Sequence, residues 1–306
     1  MRTYMRILLQ FPQGLKQYAT AELEKFEKEG HEVFLSSSPC WGACDLALDE
    51  AKKLGAKKLI HYGHCKYHEP TEKGIEIEYR LYPITIDLSI LDKSLPKIKQ
   101  YKKIALVTTV SHIHQLDEMK KILKNAGHEV FTSKGKLATM QGQVLGCDTS
   151  AASSLKDDVD AIVYIGGGEF HPLGIGGEKP VLAVNPYAKE SYFLNENMEK
   201  KRKKEMGMLI AASQANSFGI LLSIKSGQFR LAQAETIRKK LKSLGKNCAI
   251  LVSSEIDFDS LKDFNAFDAF ITTACPRLVD DFQRIEKPIV NISQIPKLVA
   301  LMKQIS

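Results

Sequence analysis

The chain has 306 residues, 44% of them hydrophobic, with 43 basic against 36 acidic side chains and a formal charge of +7. That length suits two or three domains with substantial cores. No apolar run reaches the roughly 20 residues of a membrane helix, so no membrane-crossing helix is expected and the cytoplasm is the expected location. Six cysteines, at 40, 44, 65, 147, 248 and 275, do not make a secreted disulfide scaffold; they point to buried thiols, metal ligands or catalytic groups.

In chain order, Met1 to Gln10 runs from basic residues straight into the apolar pattern Arg6-Ile7-Leu8-Leu9-Gln10, which reads as a first core strand and not a signal peptide. A charged amphipathic helix follows and stops at Gly30, a glycine that suits the residue after a helix. The next strand, Gly30-His31-Glu32-Val33-Phe34, leads to Trp41-Gly42-Ala43-Cys44-Asp45, and a later strand covers Lys58-Leu59-Ile60-His61-Tyr62.

The same order then repeats. Ile104 to Thr108 opens a second copy, its helix stops at Gly127, and Gly127-His128-Glu129-Val130-Phe131 nearly duplicates the first copy. Gln141 to Cys147, the strand Asp160 to Tyr164 and the strand Lys179 to Asn185 follow. Gly219 to Ser223 opens a looser third copy, with a helix stop at Gly245, a strand through Cys248, the strand Asp268 to Thr272, then Cys275, and a last strand after Lys287-Pro288. Short apolar strands alternating with helices predict an α/β fold with parallel sheets. The expected architecture is three related small domains, 1–100, 101–205 and 206–306, around a pseudo-threefold centre.

Cys44, Cys147 and Cys275 fall one in each third, each where a strand exits into a loop. Ligands of open α/β sheets gather beyond the carboxyl ends of the strands. A disulfide pairs two thiols and a tetrahedral zinc site wants four nitrogen or sulfur ligands, whereas three thiolates leave a cubane iron–sulfur cluster with one iron open to a substrate. Any one of these cysteines alone reads as a buried structural thiol.

Seven motifs in order carry a resemblance across essentially the whole chain: Gln10-Phe11-Pro12-Gln13-Gly14-Leu15, Gly42-Ala43-Cys44-Asp45, His61-Tyr62-Gly63-His64, Gln141 to Cys147, Phe170-His171-Pro172-Leu173-Gly174, Gly227-Gln228 and Thr273-Ala274-Cys275-Pro276-Arg277. Together they resemble the archaeal diphthamide synthesis family of 2-(3-amino-3-carboxypropyl)histidine synthases. The resemblance implies a 4Fe–4S cluster on Cys44, Cys147 and Cys275, with S-adenosylmethionine at the fourth iron. It implies reductive Cγ–S cleavage and transfer of the 3-amino-3-carboxypropyl group to a histidine of translation elongation factor 2. A homodimer served by an electron donor is implied as well. Two positions depart from the family pattern: Trp41 stands where a smaller aromatic is expected, and Cys65 where serine is common.

Other residues are candidates for the cavity. Gly166-Gly167-Gly168 after a strand lets backbone amides approach an anionic or bulky ligand such as S-adenosylmethionine, or is a simple tight turn. His171 and His64 are hydrogen-bond partners for cluster or substrate, or ordinary loop histidines. Gln228 suits an amino-acid moiety, or a helix start, and Gln10, Pro12 and Gly14 hold the equivalent turn of the first copy. Cys40 is expected in packing beside the ligands, Cys248 in a core, and His112 and His114 in solvent. Lys200 to Lys204 reads as a solvated helix between domains, or as a contact for a polyanion or acidic protein; without interleaved aromatics it is not a single-strand nucleic-acid platform. Two other classes compete with the transferase: a non-redox zinc or structural-cluster scaffold, and a non-catalytic periplasmic-type or nucleotide-binding α/β module.

Overall fold

The computed structural model describes residues 4–69, 72–284 and 286–305; Met1–Thr3 of the expected first strand lie outside the described residues. Three sheets are present, and each repeats one winding order. The first contains β1 (Arg6–Gln10), β2 (Glu32–Leu35), β3 (Lys58–Tyr62) and β4 (Glu76–Arg80) in the order β2-β1-β3-β4, all parallel. Helix α1 (Ala19–Lys28) joins β1 to β2, and α2 (Leu48–Lys53) precedes β3.

Helix α3 (Ser89–Ile98) leads into the second sheet, built from β5 (Lys103–Thr108), β6 (Glu129–Phe131), β7 (Ala161–Ile165), β8 (Val181–Asn185) and β9 (Glu190–Phe193). Its order is β6-β5-β7-β8-β9, with only β9 antiparallel. Helices α4 (Leu116–Asn125) and α5 (Ser150–Ser153) lie between its strands. Helix α6 (Asn195–Ser213) leads into the third sheet of β10 (Ser217–Ser223), β11 (Asn247–Ser253), β12 (Ala269–Thr272) and β13 (Ile289–Asn291), ordered β11-β10-β12-β13 and parallel. Helices α7 (Leu231–Ser243), α8 (Phe258–Lys262) and α9 (Ile295–Ile305) complete it. The expected α/β class with parallel-dominated sheets is what the chain adopts. The edge strands β4 and β9 were not foreseen.

The three helix stops share one mechanism. Gly30, Gly127 and Gly245 have φ of +89°, +91° and +73°, the left-handed region that a side chain disfavours. In each copy the next residue's N–H reaches five residues back, His31 to Phe26, His128 to Leu123 and Lys246 to Leu241, each at 3.1 Å. Each glycine N–H meanwhile bonds the carbonyl three residues back. That pair of bonds is a Schellman cap, which satisfies carbonyls the helix end would leave bare. A second device recurs within the second and third sheets, tying neighbouring strands of each. Asp160, before β7, accepts from the N–H groups of Lys102 and Lys103 at 2.9 and 2.8 Å, and Asp268, before β12, from those of Asn216 and Ser217 at 2.9 Å each.

The chain forms two compact units, Met1–Asn197 with the first two sheets and Met198–Ser306 with the third. Helix α3, which the expected limit at 100 assigns to the first domain, packs Leu91 and Ile98 into the core of the second sheet with Leu106, Met119, Leu123 and Val163. In the same way α6 packs Leu209 and Ala212 against Phe218 and Ile220 of the third sheet. The expected boundary at 205 therefore falls inside a helix, and that at 100 falls just after one. An apolar helix stripe belongs to whichever sheet covers it, and the sequence does not say which neighbour that is. Of the basic block on α6, Lys201 is drawn into an ion pair with Asp280 at 2.6 Å, while Lys200 and Arg202–Lys204 lie on the exposed side.

Candidate cysteine and histidine site

Each of the three cysteines expected as ligands sits beyond the carboxyl edge of its own sheet, and none of the six cysteines is in a disulfide. Cys44 lies in the loop after β2. Ser36 extends that strand by an N–H bond to Leu9 at 2.9 Å, and Asp45 closes a turn on Gly42 at 3.0 Å. Gln10, the last residue of β1 and 2% exposed, then grips the far side of the loop. Its amide nitrogen donates to the Asp45 carbonyl at 2.7 Å, and its amide oxygen accepts from the Ala47 N–H at 3.1 Å.

The Cys147 loop is anchored the same way in the second sheet. Thr108 ends β5, donates its N–H to Gly142 and accepts from Val144, both at 2.9 Å, so residues 142–144 continue the sheet edge. Leu145 and Asp148 bond each other's backbone and leave Cys147 exposed at the tip. Asp148 holds this turn through the N–H groups of Leu137 and Ser150 at 2.6 and 3.0 Å. Burial works to raise its pKa, but these hydrogen bonds outweigh it and keep the carboxyl below its usual range. Gln143, 1% exposed, accepts from Thr139 and Met140 and donates to the sulfur of Cys65 at 3.9 Å. The loop carrying Cys147 therefore meets the end of β3.

Cys275 follows β12 in the second unit. Thr273 ties this exit to β10 through two bonds to Leu221, 3.0 Å from its N–H and 2.9 Å from its hydroxyl, and Leu278 N–H donates to the Cys275 carbonyl at 3.1 Å. Burial pushes its thiol up. In the same unit Gln228, 8% exposed, lies in the turn between β10 and α7, where its N–H bonds Lys225 at 2.9 Å.

The first unit also holds a buried imidazole pair. His61, the fourth residue of β3, is fully buried. Its Nδ1 lies 2.8 Å from the Gln10 amide oxygen, and its Nε2 lies 2.9 Å from Nδ1 of His64. Burial, with the His64 neighbour second, pushes the pKa of His61 down to about 3, and burial pushes His64 down to about 4, so both rings are neutral. Ligand atoms of Cys40, His61 and His64 all lie within 4.8 Å of one another. Burial pushes the Cys40 thiol up to about 12, which fits a packed, protonated thiol beside the site.

Of the remaining candidates, Gly166 to Gly168 leave β7 as a turn in which Gly166 N–H bonds Val184 at 3.0 Å. A side chain at Gly166 would come within 2.8 Å of the Tyr164 ring carbon Cζ, and Gly168 has φ +62°. His171 stacks its ring parallel to Tyr164 at 6.4 Å and edge-on to Phe170 at 5.2 Å. Pro12 packs against Gly63, where a Cβ would lie 3.1 Å from its ring, so the turn after β1 and the turn after β3 fit together. Cys248 packs partly buried against the third core, as expected.

His112 corrects the sequence reading. Expected in solvent, it is 2% exposed, with Nδ1 2.9 Å from the Ile84 carbonyl and Nε2 3.2 Å from the Tyr187 hydroxyl. The segment between β4 and α3 and the loop after β8 close over it, partners more than 25 residues away in sequence. His114 is exposed, near Thr85. His61 and Gln143 were not singled out from sequence. His61 sits in a strand, where alternation reads it as core, and only its spacing to His64 hints otherwise.

The sequence matches the family of diphthamide synthesis proteins over residues 11–303. It is 35% identical over 307 aligned residues to the 2-(3-amino-3-carboxypropyl)histidine synthase of Pyrococcus horikoshii, covering 98% of this chain and 87% of that protein. It is 30% identical to the synthase of the same name from Methanocaldococcus jannaschii, covering 93% and 81%. Subunit 1 of the Caenorhabditis elegans synthase is 28% identical, covering 93% and 73%. The fold superposes on the crystal structure of Dph2 from Pyrococcus horikoshii with a 4Fe–4S cluster at a TM-score of 0.86, covering 97% of this chain and 86% of that one. Match length, identity and fold agree: this chain belongs to the diphthamide synthesis protein family.

Proposed function

We propose that this protein is a 2-(3-amino-3-carboxypropyl)histidine synthase, which transfers the 3-amino-3-carboxypropyl group of S-adenosylmethionine to a histidine of translation elongation factor 2, the first step of diphthamide synthesis. The observation that carries this is the placement of three thiols outside disulfides, each beyond the carboxyl edge of its own sheet, in a chain 35% identical to a named synthase. Cys44, Cys147 and Cys275 are the proposed cluster ligands. Soft thiolates suit iron–sulfur clusters, and burial pushes the Cys275 thiol up, so in the proposed site a bound metal would hold it as thiolate. A 4Fe–4S cluster on three thiolates keeps one iron without a protein ligand and supplies the electron that cleaves the Cγ–S bond.

The chain's own residues supply position. Gln10 and Gln143 fix the Cys44 and Cys147 loops from buried sites. Gly166, Gly167, Gly168 and His171, and Gln228 of the third sheet, are proposed to bind S-adenosylmethionine, together with Gln10 and His64. Holding the substrate in a near-attack arrangement selects which bond breaks. We propose a homodimer served by an external electron donor and located in the cytoplasm; among the described residues no helix is long and apolar enough to cross a membrane. The domain limits 1–100, 101–205 and 206–306 stand as proposed functional thirds, one cysteine each.

The test is an anaerobic incubation with dithionite, S-adenosylmethionine and archaeal elongation factor 2. Mass analysis should show the factor gaining one 3-amino-3-carboxypropyl group, and chromatography should show 5′-methylthioadenosine with little 5′-deoxyadenosine. An unmodified factor, with a colourless zinc-loaded protein, would favour the scaffold reading instead.

A further inference from the structure

The buried imidazole pair has a proton arrangement that its partners dictate. Gln10 can sit only one way round. Its nitrogen faces the Asp45 carbonyl and its oxygen faces the Ala47 N–H, and flipping the amide would set donor against donor and acceptor against acceptor. The oxygen that Gln10 turns to His61 Nδ1 is thus an acceptor, so Nδ1 of His61 carries the proton. A neutral imidazole has one N–H, which leaves a lone pair on His61 Nε2. That lone pair lies 2.9 Å from His64 Nδ1, so Nδ1 of His64 must donate. His64 Nε2 is then the bare nitrogen, and it has no hydrogen-bond partner among the described residues.

His64 stands between the two cysteine loops of the first unit. Cys40, four residues before Cys44, is within 4.8 Å of the pair. Cys65, the next residue, meets Gln143 four residues before Cys147. We propose that Gln10 and His61 form a positioning relay that reads the closed Cys44 loop and locks His64 as an acceptor whose Nε2 receives an N–H donor of the bound substrate. This rests on the transferase reading. The donor is either the ammonium of S-adenosylmethionine or a ring N–H of the target histidine, which share this chemistry. If the Cys44 loop opens, Gln10 loses its two backbone anchors, can turn over, and the tautomer of His64 is no longer set.

Two measurements test the relay. In the full-length chain, cluster-free and labelled with ¹⁵N at its histidine rings, long-range proton–nitrogen spectra should show His64 protonated at Nδ1 and bare at Nε2, with Gln10→Leu abolishing this preference. His64 protonated at Nε2 overturns the relay. So does a stoichiometric metal ion bound between the two rings, since it requires His64 Nδ1 bare. In the iron-loaded enzyme, His64→Asn keeps a donor toward His61 but removes the acceptor, whereas His64→Gln restores an acceptor at the outer position. At unchanged iron content, Asn should weaken the interaction about tenfold or more, as for a hydrogen bond to a charged group, and Gln should recover part of it. Loss in equilibrium binding of S-adenosylmethionine identifies its ammonium as the donor. Loss only in the KM for elongation factor 2 identifies the target histidine. Asn with both quantities unchanged overturns the proposal. Wild-type enzyme that cleaves or transfers nothing refutes the transferase reading instead, and the spectra still decide the tautomer.

Discussion

Exchanging glycine for alanine should change stability in opposite directions at two positions of the same unit. Gly219 lies in the middle of β10, in register with Phe270 on β12 and Ala249 on β11. A Cβ there would lie 2.6 and 2.7 Å from two carbons of the Phe270 ring and 3.1 Å from Leu251. Phe270 is fully buried among Leu221, Phe258, Val279 and Ile289, so the ring has nowhere to yield. Overpacking of this kind costs about 1–3 kcal/mol, more than the roughly 0.4–1 kcal/mol gained by stiffening the unfolded chain. Gly207 sits on the exposed side of α6 with nothing within 4 Å of a Cβ. Alanine there should stabilise by about 0.5–1 kcal/mol through helix propensity. Thermal melting together with hydrogen exchange on peptides from β10 and β12 reads both effects. The midpoint should fall by several degrees for Gly219→Ala and rise for Gly207→Ala. A neutral or stabilising Gly219→Ala, with Phe270 protection unchanged, would refute the close-packing argument.

Replacing Cys44, Cys147 or Cys275 by alanine should lower bound iron and abolish transfer, while Cys248→Ala should leave both largely intact; wild-type iron in all three ligand variants would sink the ligand assignment. Asp268 has its pKa held below the usual carboxylate range, first by the Asn216 N–H and then by the Ser217 hydroxyl. A lowered folded-state pKa gives stability that is present above the unfolded value of about 3.9 and is lost as pH falls through the folded one. Asp268→Asn should therefore weaken the second unit at pH 7 and differ little from wild type at pH 2, as denaturant curves of the cluster-free chain would show; an equal deficit at both pH values would contradict this.

The repeat was legible because it is written in local chemistry. Gly30, Gly127 and Gly245 each had to accept a left-handed turn, and the apolar runs 6–10, 104–108 and 219–223 each had to be covered on both faces. Strands β4 and β9 were missed because edge strands are polar on one side; Glu76-Ile77-Glu78-Tyr79-Arg80 alternates, and its partners are supplied by β3. His112 looked like a solvated loop histidine because its two partners, Ile84 and Tyr187, come from segments far away in sequence.

By itself the sequence determined the class of the fold, the strand–helix order that its three copies share, their helix stops, and the three thiols offered at strand exits, since all of these depend on periodicity, glycine and donor type within a few residues. The tertiary structure decided which sheet claims α3, that Cys65 lies against Gln143, and which nitrogen of His64 is bare. Each of those depends on hydrogen bonds or contacts that close only when separated segments meet: Gln10 with the Cys44 loop and His61, 35 and 51 residues away, turns two ordinary-looking histidines into a pair with a fixed proton.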